Sequence, residues 1–189
     1  MPDTVPDVDL RDQDRRQRFE AVAARVYEPL QRYIARRADP SNADDVLVET
    51  LTVLWRRLDD LPADDPLPWS YGVARRCVAN AHRSGRRQQQ LVVRLASQPA
   101  HVGDVALDGD PELDVALARL SDADRELVRL WAWEGLEPRE IAVALDSTPN
   151  AISIRLHRVR KRLADELRKD PMGAGHEMGE RHGRGEEAG

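Results

Sequence analysis

With 189 residues, 41% of them apolar and 33% charged, and a net charge of −5, the chain has room for one ordinary domain or two small ones, and enough apolar side chains for a core. No stretch approaches the roughly 18–20 apolar residues of a membrane span, and the acidic opening MPDTVPDVDLRDQD lacks the apolar centre of a secretory leader. The single cysteine, Cys77, excludes an internal disulfide and fits a reducing, cytoplasmic compartment.

Taken in order, the chain reads as helices, with no period-2 strand. Residues 1–15 are expected to be a disordered acidic N-terminus. From Arg16 to Arg37, Phe19, Val22, Ala23, Val26, Leu30 and Ile34 recur at three- and four-residue spacing; Pro29 predicts a kink or a division into two short helices. Ser41 or Asn42 is placed to cap a second helix, with Asp44 and Asp45 in its first turn, Arg56 and Arg57 in its last, and an apolar face of Leu47, Leu51, Leu54 and Leu58. Three prolines, Pro62, Pro66 and Pro68, make a loop before a third helix from about Trp69 to Arg87. A first domain is therefore drawn over 16–88. Residues 89–110 have weak periodicity followed by Gly, Asp and Pro, the composition of a flexible linker.

A second helical domain is drawn over 111–169. It starts with Pro111 to Leu120; Ser121 then caps a helix that Gly135 ends. Pro138 opens a short helix with Ile141, Ala142 and Leu145 inward. Thr148 caps the last helix and Pro149 takes its first position, where a missing N–H costs nothing. Ile152, Leu156, Val159, Leu163 and Leu167 form one apolar stripe on it. The Gly-rich tail 170–189 reads as disordered. The fold class is all-α: two small helical domains joined by a flexible linker.

Charge is segregated along this plan. Residues 71–90 and 149–163 each carry a net +5 with no carboxylate, inside an otherwise acidic sequence. A solvated helix face would give one such island; two of equal charge, each on a helical pattern, favour two polyanion contacts. In the second island a small residue at Ala142, a turn at Asp146 and a β-branched anchor at Ile152 have the spacing of a helix-turn-helix. The N-terminal end of its second helix would enter a major groove. There Asn150, Ser153 and Arg155 are candidates for base edges, the cations Arg158, Arg160, Lys161 and Arg162 lie where phosphates pass, and His157 is a further candidate for DNA contact. In the first island Arg75, Arg76, Asn80, Arg83, Arg86 and Arg87 lie off the packing stripe of Trp69, Val73, Cys77 or Val78, and Ala81; arginines near aromatics suit a nucleic-acid strand with unstacked bases. No nucleophile–base pair, Gly-rich phosphate loop or Cys/His cluster stands out, so no catalytic residue, metal, cofactor or small-molecule substrate is expected.

Three stretches carry a family resemblance: NADDVLVETLTVLWRR, PWSYGVARRCVANAHRSGRR and LSDADRELVRLWAWEGLEPREIAVALDSTPNAISIRLHRVRKRL. In order and spacing they resemble the bacterial RNA polymerase sigma factors of the extracytoplasmic-function (ECF) group, over about residues 16–170 with the linker unmatched. The resemblance implies an N-terminal domain that binds the β′ clamp of core RNA polymerase and opens the −10 element. It implies a C-terminal domain that meets the β flap and reads the −35 element. Asp44, Asp45, Glu49, Leu51, Leu54 and Trp55 fall on the family's clamp-binding helix. Trp69, Arg75, Arg76, Asn80, Arg83, Arg86 and Arg87 fall on its −10 region, and residues from Thr148 to Arg162 on its −35 helix. Val48 stands where the family usually has Gln, Arg76 where it has Asn, and Asp146 where it has Gly. An anti-sigma partner, soluble or membrane-held, is also implied. A stand-alone helix-turn-helix regulator would need only the C-terminal half, leaving the Asp44–Glu49 helix and the first basic island unexplained.

Overall fold

A computed structural model of the chain describes residues 7–93 and 111–169. Within them are seven α-helices and one turn of 3₁₀ helix, and no strand: α1 (Asp7–Ala35), α2 (Ala43–Arg56), the 3₁₀ turn (Leu58–Asp60), α3 (Leu67–Val93), α4 (Pro111–Ala118), α5 (Asp122–Ala132), α6 (Pro138–Leu145) and α7 (Pro149–Lys169). The linker expectation for 94–110 and the disordered-tail expectation for 170–189 lie outside the described residues.

The N-terminal unit packs α1, α2 and α3 around Val26, Leu30, Tyr33, Ile34, Leu47, Leu54, Val73 and Cys77. Two expectations for α1 need correction. The helix starts at Asp7, so residues 7–15 are helical; Arg15 fastens that end to α2 and the 3₁₀ turn, donating to the Trp55 carbonyl at 2.8 Å and to Asp59 at 3.1 Å. The helix also continues through Pro29 as one element, so the division into two short helices does not occur. A proline inside a helix costs about 3 kcal/mol; Val26, Leu30, Tyr33 and Ile34, buried on both sides of it, anchor the helix across the break.

At the start of α2, Asn42 occupies the cap position but makes no side-chain cap bond. Ser41 turns back instead, its backbone N–H and hydroxyl both donating to Asp39 Oδ1. The acidic first turn of Asp44 and Asp45 is left to complement the helix dipole. The third helix is longer than its periodicity suggests and runs to Val93, past the boundary drawn at 88. Cys77 is buried, and burial pushes its thiol pKa up.

In the C-terminal unit the local signals hold. The Ser121 side chain accepts from the Asp124 N–H, Gly135 adopts a left-handed φ of 68°, and Thr148 Oγ1 accepts from the Ala151 N–H at 3.3 Å. Glu137 and Glu140 add a reciprocal capping box at the start of α6. Ala116, Leu117, Leu120, Val128, Val159 and Leu163 form a small core between α4, α5 and α7. Leu127, Leu130, Leu136, Ile141, Ala144 and Ile152 belong to the other core, continuous with that of α1–α3.

The two units therefore share one apolar interior. At its centre α3 and α6 approach closely because Gly72 has no side chain: a Cβ there would sit 3.0 Å from the Ala144 carbonyl oxygen. Helices joined through a long intervening segment are thus packed directly against each other.

Candidate nucleic-acid interface

The acidic surface is on α2. Asp44, Asp45 and Glu49 are exposed, and Val48 beside them is among the most exposed large apolar residues. Of the apolar residues grouped with them, Leu54 is wholly buried, so it holds the helix in place and is closed to any partner. Leu51 is half-buried. Trp55 packs edge-on against Phe19 with Arg15 over its ring.

The first basic island follows α3. Arg76, Asn80, Arg83, Arg86 and Arg87 are exposed, while Arg75 is half-buried. Arg83 donates to the Asn80 side chain, tying these two candidates together. Trp69 is half-buried, with the Arg57 guanidinium 5.2 Å from its ring centre. It serves the packing of α3 and still presents a face to a cleft.

The helix-turn-helix is α6 and α7. Asp146 sits in the left-handed region at φ 53°, ψ 56°, and its N–H bonds back to Ala142 and Val143. Aspartate is among the few non-glycine residues that tolerate this conformation. Ile152, Leu156, Val159 and Leu163 bury the inner side of α7, and Leu167 is partly exposed beyond them. Asn150, Ser153, His157, Arg158, Arg160, Lys161 and Arg162 are exposed. The Ser153 hydroxyl donates to the Pro149 carbonyl within the helix, at 2.8 Å.

Three of the five cations in residues 149–163 are engaged by α5. Arg155 Nε donates to Asp124 Oδ1 at 2.7 Å, Arg162 approaches Asp124 Oδ2 at 3.6 Å, and Arg160 lies over Trp131 at 4.5 Å. Burial alone would raise the Asp124 pKa, but the Arg155 hydrogen bond and the positive charges of Arg155 and Arg162 outweigh it and hold the carboxyl below its usual range. Nothing in the sequence marked Asp124, which lies 31 residues from Arg155.

Between the units is a second polar network that the sequence reading missed. Glu134, at the end of α5, has only 3% of its side chain exposed and accepts from Arg36 at 2.7 Å, Arg37 at 3.0 Å and the Tyr71 hydroxyl at 3.4 Å. Glu126, one face along, accepts from the Tyr33 hydroxyl at 2.7 Å and Arg37 Nε at 3.0 Å. Burial alone would make Arg37 easier to deprotonate; Glu126, Tyr33 and Glu134 reverse that and raise its pKa. Burial and the neighbouring carboxylate push Tyr33 well up, and Tyr71 is raised likewise by burial and Glu134.

A cleft lies between the two units. Arg57, Trp69 and Arg76 of the N-terminal unit and Arg139, Val143, Asp146 and Pro149 of the helix-turn-helix line one cleft of about 440 Å³. No helix among the described residues is long and apolar enough to cross a membrane.

Residues 111–163 match the family described as sigma-70, region 4. An ECF RNA polymerase sigma factor of Mycobacterium tuberculosis, SigD, is 30% identical over 131 residues, 66% of this chain and 61% of that protein. The RNA polymerase sigma factor NccH of Alcaligenes xylosoxydans is 29% identical over 65% of this chain and 72% of its own length. Over these stretches the chain is similar to RNA polymerase sigma factors, one of them of the ECF group. It spans about three fifths of the length of the mycobacterial relative it matches.

The fold of this chain is also found in solved structures. CnrH in complex with the cytosolic domain of CnrY superposes with a TM-score of 0.54 at 24% identity, over 80% of this chain and 88% of that one. RpoE of Bartonella quintana, in complex with the anti-sigma factor NepR, gives 0.54 at 23% identity, over 80% and 98%. At such identities the likeness is one of fold. The matched sigma-70 region 4 begins with α4 and ends within α7, so it contains the helix-turn-helix and the second basic island.

Proposed function

We propose that the chain is an alternative sigma factor that joins core RNA polymerase and gives it promoter selectivity. The observation that carries this is the region 4 match falling on a helix-turn-helix whose second helix is cationic and exposed. Upstream of it, in the order the family requires, stand an acidic exposed helix and a basic exposed helix. A stand-alone regulator would need neither.

On this reading Asp44, Asp45 and Glu49, with Leu51 and Trp55, dock on the β′ clamp, and the C-terminal unit meets the β flap. Trp69, Arg75, Arg76, Asn80, Arg83, Arg86 and Arg87 hold the −10 strand. Thr148 fixes the start of α7; Asn150, Ser153 and Arg155 lie closest to the bases, Arg158, Arg160, Lys161 and Arg162 to the phosphates, and His157 also faces the DNA. The domains divide at the segment between α3 and α4. The protein works in the cytoplasm, on the nucleoid when in holoenzyme. It is not itself an enzyme, since the chemistry belongs to the polymerase. CnrH and RpoE were each solved with a partner protein; an anti-sigma factor that competes with polymerase, soluble or membrane-held, is the corresponding expectation for this chain.

The test is co-purification with core RNA polymerase. The full chain is expected to form a stable complex. The Asp45→Lys, Glu49→Lys variant is expected to lose it while keeping its helical circular dichroism, because both side chains are exposed and neither supports the core. A double variant that still assembles normally would remove α2 as the docking surface.

A further inference from the structure

Ile154 lies on the solvent side of α7 with 46% of its surface exposed. Isolated exposed apolar residues are common on protein surfaces, so position has to decide its meaning. Asn150, Ile154, His157 and Lys161 are spaced i, i+4, i+7 and i+11 and so share one face of the helix. That face is opposite Ile152, Leu156, Val159 and Leu163, the buried side. Ile154 is at the middle of the surface that points away from the protein.

The cations on either flank are not equally free. Arg155 and Arg162 are drawn down to Asp124, and Arg160 lies on Trp131. Ser153 spends its hydroxyl proton on the Pro149 carbonyl. The outermost face thus offers an amide at Asn150, an imidazole at His157 and a branched hydrocarbon at Ile154 between them.

In the major groove a base edge presents only one apolar group, the 5-methyl of thymine; an amide matches the donor–acceptor pair of adenine. We infer that Ile154 is a specificity-determining residue that packs on a thymine methyl, with Asn150 one turn away beside the neighbouring base pair. This rests on the proposal that α7 reads DNA and names the base chemistry it would select. A polar residue at 154 would leave that methyl without a partner, and an arginine there would favour guanine instead.

The test separates this inference from the function it rests on. The full-length protein is used to select its preferred duplex from a random pool, and each thymine in that duplex is then replaced singly by uracil, which removes only the methyl. Wild-type binding is expected to weaken about fourfold at one position, the worth of one buried methyl. Ile154→Ala should weaken binding to the selected duplex and show no further loss from the same uracil. If every thymine tolerates uracil, or the variant remains as sensitive as the wild type, the assignment to Ile154 is overturned while polymerase association stands. A protein that binds all duplexes alike would overturn base reading by α7 altogether.

Discussion

Tyr33 and Tyr71 place their rings 5.0 Å apart and donate their hydroxyls to Glu126 and Glu134. Both phenols are held neutral to a higher pH than an unfolded tyrosine, which ionises near pH 10. A group whose folded pKa is raised contributes stability that is fully present below the unfolded pKa and is lost as pH climbs through the folded one. Thermal midpoints are therefore expected to drop steeply above about pH 10. Tyr33→Phe should cost roughly 1 kcal/mol at neutral pH and then lose less than the wild type between about pH 10 and 12, which melting curves across that range would show. If the two proteins fell in parallel, the Tyr33 phenol would not be the group responsible. No feature of the sequence around Tyr33 announces this role. Tyr33 and Glu126 are 93 residues apart, and only folding brings them within a hydrogen bond.

Among the elements, the α6–α7 pair was the most legible because its instructions are local. The proline at its first position, the cap at Thr148 and the tolerant aspartate at the turn all lie within a few residues of what they control. Helix α1 was less so. Its length depends on Arg15 reaching Trp55 and Asp59, and its continuity on burial either side of Pro29; both depend on tertiary contacts. The turn gives a direct prediction. Asp146→Gly should stabilise the chain by about 1 kcal/mol, because glycine takes a positive φ without penalty, and Asp146→Ala should destabilise it by a similar amount. Urea unfolding of the three proteins ranks them, and a glycine variant less stable than the alanine one would show that the aspartate side chain, not the backbone angle, decides the turn. On the proposed function, the salt dependence of DNA binding belongs to α7. Arg158→Ala or Lys161→Ala should each flatten the slope of log K against log salt by up to about one, whereas Arg162→Ala should do less, since Asp124 already offsets part of its charge. Titrations of a labelled duplex at several salt concentrations would distinguish the three.

For the whole molecule, the closeness of the two units poses a geometric problem. On the proposed function, the −10 and −35 elements are separated by about 25 base-pair steps, on the order of 80 Å along a duplex at roughly 3.4 Å per step. Here Trp69 and Arg76, on one side, and Pro149, at the start of α7, line the same cleft. A chain in this closed form has its candidate −10 and −35 surfaces too close together to use both. Opening must break the network around Glu126 and Glu134 and part the Gly72–Ala144 contact. Buried ion pairs return little net stability when intact, but losing one partner leaves the other charged and desolvated, a loss of about 3–5 kcal/mol. Replacing Glu126 and Glu134 together by Gln should therefore weaken the closed form, strand Arg37 and favour separated units. Small-angle scattering of the free protein is expected to show a larger radius of gyration for the double variant than for the wild type, with helical circular dichroism unchanged. Arg36→Ala, which removes a half-exposed member of the network, should give a smaller increase in the same direction. If both variants stay as compact as the wild type, the apolar interior shared by α3 and α6 holds the units together by itself, and the carboxylates of Glu126 and Glu134 do not control the opening.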